Sequence, residues 1–122
     1  MPFHKPLLLI ASSFGFLAVA LGAFGAHALA DRLSPERMET WVTATRYHLV
    51  HTVVILFLSY IAHTHSRFTL PAYLFSAGTF IFSFSLYLLC LTDKSFLGAI
   101  TPIGGLLLLA GWGVLFFLGV KS

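Results

Sequence analysis

The chain has 122 residues, of which 58% are hydrophobic and only 9% charged, with a formal net charge of +3. A soluble domain carries about 25% charged residues, so these charges are too few to clothe a water-facing surface, and the mean hydropathy of +0.93 agrees. The basic residues form no run that could track nucleic acid, and the lone Cys90 excludes both an internal disulfide and a cysteine-paired metal site.

A spanning helix needs about 20 apolar residues, and four stretches qualify: 7–29, 41–62, 70–91 and 97–120. The connectors 31–40, 63–69 and 92–96 are short, which forces consecutive spans to be antiparallel neighbours. Backbone groups in hydrocarbon must be satisfied within each span, so each span is predicted to be a helix. The expectation is one integral-membrane domain over 1–122, an all-α four-transmembrane-helix bundle running up-down-up-down.

The first stretch also carries features of a secretory signal, with Lys5 before the apolar run and Ala26-His27-Ala28 as a cleavage pattern. Its apolar run exceeds the usual core of about 7–15 residues, which favours a true span. Ala11, Gly15, Ala18, Gly22 and Gly25 recur at steps of three and four, a small-residue seam that lets another helix approach closely. Gly15, Gly22 and Gly25 are therefore expected packing positions, and this seam is expected to make the closest helix–helix contact. In the first connector, Ser34-Pro35 reads as an N-cap followed by N1, with Glu36 and Glu39 near the positive end of the helix dipole. The second helix should begin near Pro35 and enter the bilayer around Trp41.

The third stretch places Ser76, Thr79, Ser83, Tyr87 and Cys90 on one face, which hydroxyls in lipid turn towards other helices. In the fourth, Pro102 beside Gly104 and Gly105 predicts a kink. Gly104 and Gly111 share a face for close packing, either within the bundle or between subunits of a possible homo-oligomer.

Ionisable groups at membrane depth are costly and tend to mark function. Here His27 ends the first span, while Arg46, Tyr47, His48 and His51 occupy the first half of the second, on the same side of the membrane. At 3.6 residues per turn, His48 and His51 share a face and Tyr47 neighbours His51 at i+4. Arg46 points the opposite way, on the face of Glu39, so a Glu39–Arg46 ion pair is expected, with Asp31 as the other acid in reach. The histidines should face inward as neutral imidazoles, with His27 within reach of one of them. His27, Tyr47, His48 and His51 are the candidate ligand-binding residues. Imidazoles suit zinc, copper or iron, but no carboxylate or cysteine accompanies His27, His48 and His51, so no metal site is assigned. Haem, a quinone head group or proton transfer are open alternatives, as is plain interhelical hydrogen bonding. His4, His63 and His65 lie at the other side, where water should solvate them.

The runs Gly22-Ala23-Phe24-Gly25-Ala26-His27-Ala28-Leu29 and Trp41-x-Thr43-Ala44-x-x-Tyr47-His48-x-x-His51 resemble the YgdD-type family of small membrane proteins. The resemblance covers the whole chain and implies a four-span inner-membrane protein of unknown function. It implies no activity, and directs attention to Gly22, Gly25, His27, Trp41, Tyr47, His48 and His51.

No catalytic residue, nucleophile motif, phosphate loop or paired carboxylates can be assigned, and no cofactor is identifiable. The expected function is non-enzymatic binding of a small ligand or protein partner beside the first connector, in the lipid bilayer and without nucleic acid. A small oligomeric transporter or channel, or a histidine-dependent haem, quinone or metal-binding protein, is the alternative. Basic residues are nearly balanced between the two sides, Lys5, Arg67, Lys121 and the amino terminus against Arg32, Arg37, Lys94 and the partly embedded Arg46, so the positive-inside rule comes close to a tie, and cytoplasmic termini are the expectation adopted.

Overall fold

A computed structural model describes every residue from Met1 to Ser122. Four helices are long and apolar enough to cross a membrane: α1, Lys5–Leu29; α2, Pro35–Ala62; α3, Ser66–Thr92; and α4, Phe96–Lys121. Their boundaries follow local chemistry. Ser34 caps α2, its Oγ accepting from the Arg37 amide at 3.1 Å, with Pro35 in the first turn. Asp93 ends α3 with φ of 60°, a left-handed conformation that aspartate tolerates better than most residues. α4 runs on through Pro102 as one helix.

α3 opens with a 3-10 turn over Ser66–Phe68, and α1 departs from regular geometry within its span. Between Ala20 and Gly25, α1 widens into a π-helix, and the Leu21 carbonyl there accepts a hydrogen bond from the Trp41 indole at 2.9 Å. The indole N–H is a donor only, and this bond keeps it satisfied while its ring is buried.

The helices pack in chain order, α1 on α2, α2 on α3 and α3 on α4, while α4 scarcely touches α1 or α2. One apolar core, built on Leu7, Ile55, Leu58, Phe75 and Leu108, lies towards the termini. A second, built on Trp41, Ala44, Tyr87 and Cys90, lies towards the first and third connectors. Arg37 clamps these two connectors together, with Nη2 at 2.7 Å and Nε at 3.0 Å from Asp93 Oδ1.

Gly15, Gly22 and Gly25 all face α2, but they do not make the closest approach in the bundle. A Cβ on Gly22 would meet Thr45 at an ordinary 3.7 Å, and one on Gly15 would meet Thr52 at 3.5 Å. The tightest crossing is α3 on α4, where a Cβ on Gly104 would overlap the Phe82 backbone and one on Gly78 would fall 2.9 Å from the Leu108 nitrogen. Across the α1 seam, Trp41, Thr45 and Thr52 already fill the space that the small residues leave. Across α3–α4, backbone meets backbone at Gly78 and Gly104, and the Phe75 ring lies against Gly111.

Candidate functional site

α2 carries the candidate residues, and its register against α1 decides which of them meet. In an antiparallel hairpin, residues equidistant from the connector sit at one level: Gly25 lies beside Trp41, Gly22 beside Thr45 and Gly15 beside Thr52. His27 therefore sits near the level of Glu39, about 13 Å along the axis from His48 at 1.5 Å per residue. It is exposed, and the expectation that it reaches His48 or His51 does not hold. No three histidine, cysteine, aspartate or glutamate side chains converge to hold a metal ion anywhere in the chain.

His48 and His51 both turn inward, at 0% and 5% exposure, yet they occupy different surroundings. His48 is enclosed by Phe14, Phe84 and Tyr87, with ring centroids 5.3–5.9 Å away. Its Nδ1 lies 2.8 Å from the Tyr87 hydroxyl, and its Nε2 is buried without a partner. Whichever of the two groups donates, one buried donor of the neutral pair stays unsatisfied: the Tyr87 O–H if His48 donates, the His48 Nε2–H if Tyr87 does.

His51 is satisfied on both sides, and its neighbours dictate its tautomer. The Trp112 indole N–H can only donate, so His51 Nε2 accepts from it at 3.1 Å. The Tyr47 carbonyl can only accept, so Nδ1 carries the proton and donates to it at 2.9 Å. A neutral ring protonated at Nδ1 fits both bonds. An imidazolium would set two N–H groups against each other at Trp112. The Tyr47 ring stacks parallel on His51 at 6.1 Å, and its hydroxyl has no partner within the chain.

The His51–Trp112 bond crosses between α2 and α4, which otherwise scarcely touch. Beside it opens a cleft of about 590 Å³, walled by Tyr47, His51, Phe82, Leu106, Leu109 and Trp112. That volume is in the ordinary range for small-molecule sites, about 300–1,000 Å³, and an apolar lining with a few polar groups is their usual chemistry. The cleft sits near mid-depth of α2 and not beside the first connector, as sequence reasoning had it. Trp112 and Phe82 were missed because periodicity alone does not say which face of a uniformly apolar α4 meets protein.

The hydroxyl face of α3 is consumed in packing. Ser83 donates to the Ala44 carbonyl across α2 at 2.9 Å, Ser85 and Thr101 share a 2.6 Å bond across α4, and Ser76 bonds its own helix at Ala72. Thr79 Oγ1 is buried without a partner.

Arg46 is exposed on the outer face of α2, as expected, but Glu39 and Arg46 do not pair; the ion pair of this structure is Arg37–Asp93. Two helical turns, about 10 Å, separate Glu39 from Arg46, a gap that both side chains would have to stretch to close. His63 and His65 are exposed, whereas His4 is half-buried, its ring edge-on to Tyr73 and its Nδ1 buried without a partner.

The family described as "Protein of unknown function (DUF423)" matches residues 21–105. Similar curated proteins include a UPF0382 membrane protein of Staphylococcus epidermidis, 41% identical over 118 residues and covering 96% of this chain and 97% of that one. The UPF0382 membrane protein YwdK of Bacillus subtilis is 35% identical, covering 96% and 98%. A UPF0382 membrane protein of Schizosaccharomyces pombe is 37% identical, covering 87% and 94%. No solved structure matches. The chain belongs to the DUF423 family of membrane proteins; these findings carry the names DUF423 and UPF0382 and not the YgdD-type label.

Proposed function

We propose that this DUF423-family membrane protein is a non-enzymatic binder of a lipid-soluble molecule, taken up sideways from the bilayer into the cleft between α2 and α4. The observation that carries this reading is the cleft itself: aromatic walls from Tyr47, Phe82 and Trp112 around a histidine whose tautomer is held by two hydrogen bonds. With both His51 nitrogens engaged, the free polar group at the cleft is the Tyr47 hydroxyl, so the ligand is apolar or aromatic with a hydrogen-bond acceptor, as in a quinone. Histidine ligation of a haem iron finds less support. His48 is sealed by aromatic rings, and His51 would have to release Trp112 or the Tyr47 carbonyl. A path for transport along α3 also finds less support, because most of its hydroxyls already bond carbonyls or side chains.

A decyl-tailed quinone titrated into detergent-solubilised protein tests the reading by indole fluorescence. Saturable quenching is expected in the unaltered chain, with loss of the saturable component in Trp112→Phe. Gly105→Leu, which places a side chain in the cleft, should abolish it too. Equal quenching in Gly105→Leu would remove the cleft from consideration. We further place the protein in the bacterial inner membrane with cytoplasmic termini; strong signal from a periplasm-active reporter fused after Ser122 would reverse that orientation.

A further inference from the structure

We infer that the outer face of α2 is a binding site for a glycerophospholipid with a primary-ammonium head group, its phosphate held by Arg46 and its ammonium by Glu39. This site lies along α2 beside the cleft, where Glu36, Glu39 and Thr43 line a shallow groove with Phe82, Leu86 and Thr101. Glu39, Thr43 and Arg46, at steps of four and three, fall in one column on that face. Glu39 and Arg46 are exposed, and neither is in an ion pair; Thr43 is half-buried and its hydroxyl has no partner within the chain, unlike those of Thr40 and Thr45, which bond their own helix.

Depth gives the column its meaning. α2 has 28 residues, about 42 Å of helix against a hydrocarbon core of about 30 Å. The charged Glu36, Arg37 and Glu39 assign that excess to its first turns, which stand in the head-group layer. Glu39 lies in that layer, and Arg46, about 10 Å deeper, reaches back towards it as long cationic side chains do. A guanidinium at the hydrocarbon edge with no protein acid needs an anion from the membrane, and the phosphate is the anion at that depth. Moving outward, a phospholipid presents acyl chain, phosphate and then amine. The face presents the matching order: the exposed apolar Val50, Val53 and Phe57, then Arg46, Thr43 and Glu39. Glu36, one turn further out and also exposed, adds a second carboxylate above the phosphate. A net-anionic head group would meet both carboxylates unfavourably, and a quaternary ammonium has no N–H to donate to them. A primary ammonium does.

Native mass spectrometry of the full chain, released from nanodiscs of equimolar dioleoyl phosphatidylethanolamine, phosphatidylglycerol and phosphatidylcholine, reads the preference directly. The unaltered protein should retain phosphatidylethanolamine about twofold to fivefold over the other two, the range of one exposed ion pair. Glu39→Gln should erase that preference, and Arg46→Gln should lower retention of all three about fivefold, with Arg46→Lys restoring it. Both positions face lipid, so the variants should unfold at the same temperature as the parent. Equal retention of the three lipids by the parent, a preference for phosphatidylglycerol, or a preference untouched by Glu39→Gln would each overturn the site. The quinone titration of the cleft reads none of these, so the two proposals fail separately.

Discussion

The α1–α2 and α3–α4 hairpins are built from the same material, small residues on one helix facing another, and they come out differently. Along α1–α2 the small residues receive side chains: Trp41 packs over Gly25, Thr45 over Gly22 and Thr52 over Gly15. Along α3–α4 two of them receive backbone, Gly104 against the Phe82 amide and Gly78 against Leu108, while Gly111 takes the Phe75 ring. A small-residue seam thus permits a close approach without producing one; the residue opposite decides. The polar groups do not follow the same division. Phe14 of α1 with Phe84 and Tyr87 of α3 enclose His48, while α4, packed mainly on α3, leaves the cleft that His51 and Trp112 bridge.

The largest expected effect tests the α3–α4 crossing. Gly104→Ala would place a Cβ inside contact distance of backbone, which cannot swing aside as a side chain can. Overpacking of this kind costs about 1–3 kcal/mol, and the upper end is expected in thermal unfolding of the detergent-solubilised protein. Unchanged stability would mean that the helices separate at no cost. Gly22→Leu should also destabilise, by about 1 kcal/mol, the lower end of the same range, since Thr45 leaves room for part of the new side chain. A cost equal to that of Gly104→Ala would erase the distinction between the two hairpins.

A middle-sized effect concerns the two histidines. Tyr87→Phe removes the one hydrogen bond made by the His48 ring and should cost about 1 kcal/mol, near the mean for a single hydrogen bond. Trp112→Phe should cost a similar amount by leaving His51 Nε2 without its donor. The double change His48→Gln, His51→Gln keeps hydrogen-bonding groups and removes the imidazoles. Normal folding of that variant with lost ligand binding would show that the rings themselves are needed, and retained binding would assign them to packing.

The smallest effect is at the water-facing ends. Arg37→Gln removes the clamp between the first and third connectors, but Asp93 is 76% exposed, and exposed ion pairs contribute about 0–1 kcal/mol. The loss should shrink further at high salt. Gly22→Ala belongs at this end too. A methyl fits at 3.7 Å from Thr45, and alanine is the better helix former by about 1 kcal/mol, so the change should be neutral or stabilising.

How much of this was legible beforehand depended on whether an interaction was local. Four spans, their antiparallel order and the Ser34-Pro35 start of α2 depend on composition, length and capping within a few residues, and the chain states them directly. The inward face of His48 and His51 and the outward face of Arg46 follow from helical angle alone. The failed meeting of His27 with the other histidines was within reach too, because residues equidistant from a short connector must share a level. The Glu39–Arg46 pair failed for want of the same attention to axial distance.

Other features depended on which helix stood opposite. Whether Gly22 or Gly104 made the closer crossing turned on the residues across the interface, and these are set by rotations about α3 and α4 that no local pattern records. Trp112 could be placed on α4 but not aimed, since every face of that helix is apolar enough for lipid. The cleft exists because α4 leans on α3 and stands off α2, a choice made by backbone contact at Gly78 and Gly104. Hydropathy and helical period belong to one helix at a time, so the sequence by itself determined the four spans and the faces their polar groups occupy. The space between two helices belongs to neither, and the tertiary structure alone decided where that space closes to backbone contact and where it stays open.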